Sequence, residues 1–130
     1  MQIVCAQLHL RIVTQRATMQ RMQMPSPTER ALDRMYAIGD ELAPRGVIRA
    51  KMFGAPSLKA GTKVLCSIWG DDLVVKLPSD TLEPALSLAG VERFEPMAGR
   101  AMKEWAQVPF EHQARWAGLV EAALVYVGEA

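Results

Sequence analysis

Side chains that could catalyse a reaction are few in this sequence, and their spacing favours structural roles. His112 is the only histidine after residue 24, and the pattern around it predicts the first turns of a surface helix. A hydrolytic triad needs a nucleophile, a base and an orienting acid, and no spacing places Ser57 or Ser67 beside this histidine. The adjacent carboxylates Asp71 and Asp72 follow a glycine, which is typical of a tight turn. We therefore predict no catalytic residue and expect that the protein is not an enzyme.

Metal and cofactor sites also lack a sequence signal. The two cysteines, Cys5 and Cys66, form no CxxC motif and have no histidine pair at ligand spacing. The glycines are isolated, and none belongs to a phosphate-binding GxGxxG or GxxxxGK run. Cys66 falls in an apolar strand, so we interpret it as a core residue. Since nothing requires an oxidising compartment, we expect a cytoplasmic protein without a bound metal or cofactor.

Length and composition indicate one globular domain. The chain has 130 residues, of which half are apolar and 22% are charged. Its net charge of +1 provides no global field that would attract nucleic acid or an anionic membrane. No apolar run approaches the roughly 20 residues of a membrane-spanning helix, so we expect no membrane partner.

The start of the chain differs in composition from the rest. Residues 1–23 contain Arg11, Arg16 and Arg21 and no acidic residue, and the arginines follow the apolar stretch rather than precede it, which argues against a secretory signal. We predict a poorly ordered extension or an upstream translation start over residues 1–24, and a single folded domain over residues 25–130. An organelle transit peptide and an extra edge strand at residues 8–13 are the alternatives.

The remaining sequence alternates helical and strand patterns. Ser26-Pro27-Thr28-Glu29 is a capping-box pattern, which predicts a helix over about 27–43. Alternating apolar residues and short turns then predict a meander with strands over about 47–53, 57–59, 63–69 and 73–77. Four further elements complete the pattern: a helix over about 81–88 capped by Ser79 or Asp80, strands over 91–95 and 102–108, and a helix over 109–127.

This order of elements predicts an α+β domain. One antiparallel sheet with helices packed on a face accommodates the order helix, meander of three or four strands, helix, two strands, helix. The pattern contains no crossover βαβ unit, which argues against a dinucleotide-binding fold.

Several short motifs resemble one protein family. Lys51-Met52-Phe53-Gly54, after a first helix, resembles the N-terminal domain of the TfoX/Sxy competence regulators. Four further features agree in order and spacing: the strand ending at Trp69, the Leu73-Val74-Val75-Lys76 strand, the Phe94 strand, and Met102-Lys103-Glu104-Trp105 before a last helix. The resemblance covers about residues 26–127. The sequence resembles the MmcQ/YjbR group less, although that group shares a comparable order of helices and strands.

The resemblance implies a fold and a kind of protein. The fold is a helix, three-strand, helix, two-strand, helix sandwich, the TfoX N-terminal or secretion-chaperone-like architecture. Full-length regulators of the family carry a separate C-terminal domain, whereas this sequence ends after the last helix, so we expect a stand-alone member. Many stand-alone members have no assigned activity.

Large apolar and basic residues near the strand ends are the candidates for a binding surface. Aromatic and methionine side chains beside cations are common anchors of protein interfaces. We predict an interaction face for a protein partner or for a second copy of the chain, formed by Lys51, Met52, Phe53, Gly54, Lys76, Met102, Lys103 and Trp105.

The alternative function is weak nucleic-acid binding by a transcription or competence regulator. If Arg49, Lys51, Lys76 and Lys103 share one sheet face, they form a basic patch beside which a tryptophan could stack on bases. The small net charge favours the first interpretation, a non-enzymatic accessory or regulatory domain that acts through protein contacts.

Overall fold

The described part of the chain forms one antiparallel sheet and three α-helices. The computed structural model describes residues 25–52, 54–97 and 99–128. The helical elements are α1 (Glu29–Leu42), α2 (Ser79–Leu86) and α3 (Gln113–Gly128), with 3-10 turns at Ala43–Arg45 and Phe110–His112. The strands are β1 (Val47–Met52), β2 (Ala55–Ala60), β3 (Lys63–Trp69), β4 (Asp72–Lys76), β5 (Glu92–Arg93) and β6 (Trp105–Val108). The predicted extension at residues 1–24, the alternative strand at 8–13 and Phe53 lie outside the described residues.

The strand order is β1-β2-β3-β4-β6-β5, and every neighbouring pair is antiparallel. The predicted α+β class, with its meander followed by a helix and two further strands, is confirmed. Two-residue turns join the meander strands, and Gly61 and Gly70 adopt φ values of 62° and 66° in the second and third turns. Such tight hairpins require positive φ, which glycine adopts without steric cost.

Helix α1 begins two residues later than the capping pattern suggests. Its N-cap is Thr28, whose hydroxyl oxygen accepts a hydrogen bond from the Ala31 amide at 3.3 Å. The same hydroxyl donates to Asp71 at 2.7 Å, and the Thr28 amide donates to the Gly70 carbonyl at 2.9 Å. The predicted cap at Ser26 was wrong because the β3–β4 turn holds Thr28 in the capping position, a contact that local sequence does not reveal.

Other element boundaries also differ from the sequence pattern. The strand predicted over 102–108 begins only at Trp105, and the helix predicted over 109–127 begins at Gln113, because residues 110–112 form a 3-10 turn. Strand β2 extends back to Ala55, because Ala55 and Pro56 pair with Met52 and Lys51 of β1. Strand β5 contains only two residues, although the amide of the buried Phe94 still donates a hydrogen bond to the Trp105 carbonyl at 2.9 Å. Helix α2 begins at Ser79 without a side-chain cap, so the capping role predicted for Ser79 or Asp80 was wrong.

The main core lies between one face of the sheet and all three helices. Each helix contributes buried side chains, for example Met35, Leu82 and Trp116, and these form one cluster with the strand residues Leu73 and Val75. Full burial of an apolar side chain of this size contributes about 1.5–3 kcal/mol. No helix of the described residues contributes a side chain to the cluster on the opposite face of the sheet.

Candidate functional site

A second apolar cluster lies on the sheet face away from the helices. Val74 is buried in this cluster, while its neighbours Leu73 and Val75 belong to the helix-covered core. Because successive side chains of a strand point to opposite faces, the second cluster marks the uncovered face. Its buried members are Val74, Phe94 and Trp105, and Met52, Val64, Trp69 and Met102 pack around them.

The sheet bends toward this second cluster. Met52 on β1 and Trp105 on β6 are four strands apart in the sheet order, which in a flat sheet would separate them by about 19 Å. Both nevertheless line the same surface groove. The register between β2 and β3 shifts at Leu58 and Lys59, and such a β-bulge bends a strand and increases its twist. The bend makes this face concave and brings distant strands into one site.

The groove has a volume of about 580 Å³. It combines side chains from β1, β3, β4, β6 and helix α3 with Glu104, which precedes β6. The residues that line it, hereafter the groove, are Met52, Lys63, Val64, Lys76, Glu104, Trp105, Tyr126 and Val127. One side is apolar and the rim carries charge, a combination that is typical of binding sites.

Charged and polar groups of the rim interact with one another. The Lys76 ammonium lies 3.6 Å from the Glu104 carboxylate in a partly exposed ion pair. Burial and the neighbouring Glu104 carboxylate raise the pKa of the Tyr126 phenol. Lys63 is exposed and forms no salt bridge with any other described residue. The rim therefore presents one cation that is not neutralised by a described neighbour.

Several residues of the predicted interaction face come together here. Met52, Lys76 and Trp105 line the groove itself. Met102 and Lys103 line a shallow depression of about 320 Å³, hereafter the adjoining depression, which shares Glu104 and Trp105 with the groove. Gly54 is exposed in the β1–β2 hairpin with φ 83°.

Lys51 does not join these residues. The guanidinium of Arg49, two residues earlier on β1, lies 3.9 Å from the centroid of the Tyr36 ring and 3.6 Å from the Asp40 carboxylate, both on helix α1. Strand alternation puts Lys51 on this helix side and Lys76 on the opposite face. The four cations considered for a basic patch therefore do not share a face. Phe53 lies outside the described residues.

Sequence reasoning missed five residues of the groove as site residues: Lys63, Val64, Glu104, Tyr126 and Val127. Each of these residues lies at a position where its residue type is common, such as the start of a strand or the last turn of a helix. No periodicity marks them, because their convergence depends on the bend of the sheet and on where helix α3 ends.

Residues with catalytic side chains are engaged in structural contacts. The Nε2 atom of His112 lies 2.7 Å from the Ala89 carbonyl oxygen. Asp71 accepts a hydrogen bond from the Nε of Arg30 at 3.0 Å, and Asp72 accepts one from the Gln107 amide at 2.7 Å. Burial raises the pKa of the Cys66 thiol, which disfavours the reactive thiolate. Within residues 25–52, 54–97 and 99–128, no group of three or more His, Cys, Asp or Glu residues is placed to hold a metal ion.

Among the helices in the described part of the chain, none has both the length and the apolar character needed to cross a membrane. Comparisons of the chain with models of protein families, with curated proteins and with solved structures find no match.

Proposed function

We propose that the chain is a non-enzymatic accessory or regulatory domain that binds a protein partner through the groove and the adjoining depression. The groove carries this proposal, since it is an apolar surface with a charged rim where the second cluster meets the last turn of α3. The resemblance of the Lys51-Met52-Phe53-Gly54 motif and its companions to the TfoX/Sxy N-terminal domain supports a regulatory rather than a catalytic role.

The side chains of this face are those that anchor protein interfaces. Tryptophan, tyrosine and methionine are enriched at interfaces, and a few buried aromatic anchors commonly supply most of the binding energy. Trp105 supplies a ring with 9% exposure at the floor, and Tyr126 a partly buried phenol at the rim. Met52 and Met102 add flexible side chains that can adapt to the shape of a partner.

A second copy of the chain is the other occupant that this proposal admits, and light scattering after gel filtration would detect it. The proposal places the protein in the cytoplasm. It is supported by Cys66, a free thiol in the main core, because such a thiol needs no oxidising compartment.

Nucleic-acid binding has less support. Phosphate backbones are bound by several cations that act together, and Arg49 and Lys51 lie on the opposite face from Lys76. Salt provides a direct discrimination, because binding to DNA or RNA weakens steeply between low and physiological salt, whereas binding through an apolar interface does not.

Site-specific photo-crosslinking tests the proposed function. A photoreactive benzoylphenylalanine replaces Lys103 in the adjoining depression, and in a matched variant it replaces Lys51 on the opposite face. Both lysines are exposed and neither forms a salt bridge within the described chain, so neither replacement disturbs the core. Irradiation in the native cell is expected to give a discrete adduct from position 103 and none from position 51.

The mass of the adduct identifies its origin, because a second copy doubles the mass of the chain and another protein does not. Equal adducts from both positions, or none from position 103, would rule out binding through this face.

A further inference from the structure

The chemistry of the groove defines the kind of segment that it fits. We propose that the groove binds an acidic, apolar peptide segment of the partner, with a carboxylate held by the amines of Lys63 and Lys76 and an adjacent apolar side chain placed against Trp105. This inference rests on the proposed function and specifies the partner class for the same site.

The charge balance of the groove selects for an anion. Two lysines and one glutamate line it, so the lining is positive at neutral pH. The Glu104 carboxylate lies 3.6 Å from the Lys76 ammonium, which compensates its charge. Lys63 has no acidic neighbour within 4.0 Å in the described part of the chain, so it is available to a carboxylate of the ligand.

The apolar wall selects for a side chain rather than for an isolated ion. Met52 and Val64 are half-buried and pack with Trp105 in the second cluster. A volume of about 580 Å³ falls within the range of ligand-binding clefts, and it accommodates an aliphatic or aromatic side chain. A phosphate backbone would gain little from this wall, whereas an acidic peptide with a leucine, phenylalanine or tryptophan uses both the wall and the cations.

Peptide selection provides the test. Random linear peptides displayed on phage are selected against the full chain. We expect the selected sequences to place aspartate or glutamate next to, or one residue away from, a leucine, phenylalanine or tryptophan. A selected peptide labelled with fluorescein is then titrated by fluorescence anisotropy, with its acid-to-amide analogue as the peptide control.

Matched charge variants locate the binding site. Lys63→Glu is expected to weaken binding of the selected peptide about five- to tenfold at low salt, because a rim attraction becomes a repulsion. Lys51→Glu makes the same charge change on an exposed strand position of the opposite face, and it should change the affinity less than about twofold. Glu104→Gln removes the competing carboxylate and should tighten binding about threefold. Circular dichroism checks that each variant folds. If Lys63→Glu does not fold, Lys63→Gln replaces it in the binding measurement.

The outcomes separate this inference from the proposed function. Failure to select any peptide, selection without acidic residues, or equal effects of Lys63→Glu and Lys51→Glu would overturn the acidic-peptide assignment. Binding of sodium decanoate without binding of any peptide would also overturn it and would assign a small apolar carboxylic acid instead. If the photo-crosslink from position 103 persists in these cases, the proposed protein-contact function still stands. If that crosslink is absent, both the proposed function and the acidic-peptide assignment are overturned.

Discussion

Two helical glycines provide a test of how helix α1 packs on the sheet. A Cβ atom added to buried Gly39 on α1 would lie 2.6 Å from Leu58 Cδ2 and 3.3 Å from Leu58 Cδ1. Leu58 is fully buried, so its side chain cannot move into solvent. Gly118 on α3 is exposed, and an added Cβ would meet no atom within 4 Å. The effects of a glycine-to-alanine substitution on stability at the two sites therefore differ mainly through packing.

The magnitudes follow from this geometry. Replacing glycine by alanine inside a helix is worth about 1 kcal/mol in helix propensity, so Gly118→Ala should raise the free energy of unfolding by about that amount. Gly39→Ala gains the same propensity but overpacks the core, which costs about 1–3 kcal/mol. We expect Gly39→Ala to be neutral or destabilising by up to about 2 kcal/mol. The difference between the two variants reports the overpacking cost alone, because the propensity cancels.

Urea denaturation followed by far-UV circular dichroism measures both variants, with the midpoint and slope compared with the parent chain. Leu58→Val supplies a coupled control, since a smaller side chain relieves the contact. The loss caused by Leu58→Val should be smaller in the Gly39→Ala background than in the parent chain. If Gly39→Ala stabilises as much as Gly118→Ala, or if no coupling to Leu58 appears, the inferred close approach of α1 to β2 is refuted.

Three further predictions concern acid stability, thiol reactivity and the second cluster. Hydrogen bonds, first from Arg30, hold the pKa of Asp71 below its usual range, so its stabilisation is complete above about pH 4 and is lost as the pH falls through the lower folded value. Asp71→Asn should therefore flatten the dependence of the unfolding free energy on pH in this acid range. If the urea midpoints of Asp71→Asn change with pH as much as those of the parent chain, the proposed role of the Arg30–Asp71 pair is contradicted. In a Cys5→Ser background, Cys66 should react with Ellman's reagent only after unfolding, whereas immediate reaction of the native protein would contradict its burial. Phe94→Ala should cost about 3–5 kcal/mol in urea unfolding, and a loss below about 1 kcal/mol would show that the second cluster contributes little.

Local patterns predicted most of the elements. The strand predicted over 63–69 coincides with β3, because a run of apolar residues between two turns is a local signal. The predicted faces were wrong at its start, since Leu65 joins Cys66 and Ile68 in the main core while Val64 lies in the second cluster, a change caused by the bulge at Leu65. The helix predicted over 27–43 was correct except for its first and last residues. The N-cap was wrong because Thr28 is selected by the distant residues Gly70 and Asp71. Strand β5 was overestimated, since only Glu92 and Arg93 pair regularly with β6 and Phe94 continues with isolated backbone hydrogen bonds.

The candidate site was predicted only in part. Met52, Lys76 and Trp105 were identified from their residue types and their positions near strand ends, and they line the groove. Lys51 was grouped with them because it is adjacent to Met52 in sequence, yet adjacent strand residues point to opposite faces. Lys63 and Tyr126 were missed as site residues because nothing in their neighbouring residues distinguishes them from solvent-exposed positions.

The sequence by itself determined the class of the domain, the meander and the stripes that form the main core, since periodicity and turn residues act over a few neighbouring positions. The tertiary structure alone decided that Met52 meets Trp105 and that Lys63, Lys76, Glu104 and Tyr126 surround them. Those residues are far apart along the chain, and their meeting depends on the bulge at Leu65 of β3, the bend of the sheet and the position of the last turn of α3. Such long-range geometry results from the packing of the whole domain, which no local pattern encodes.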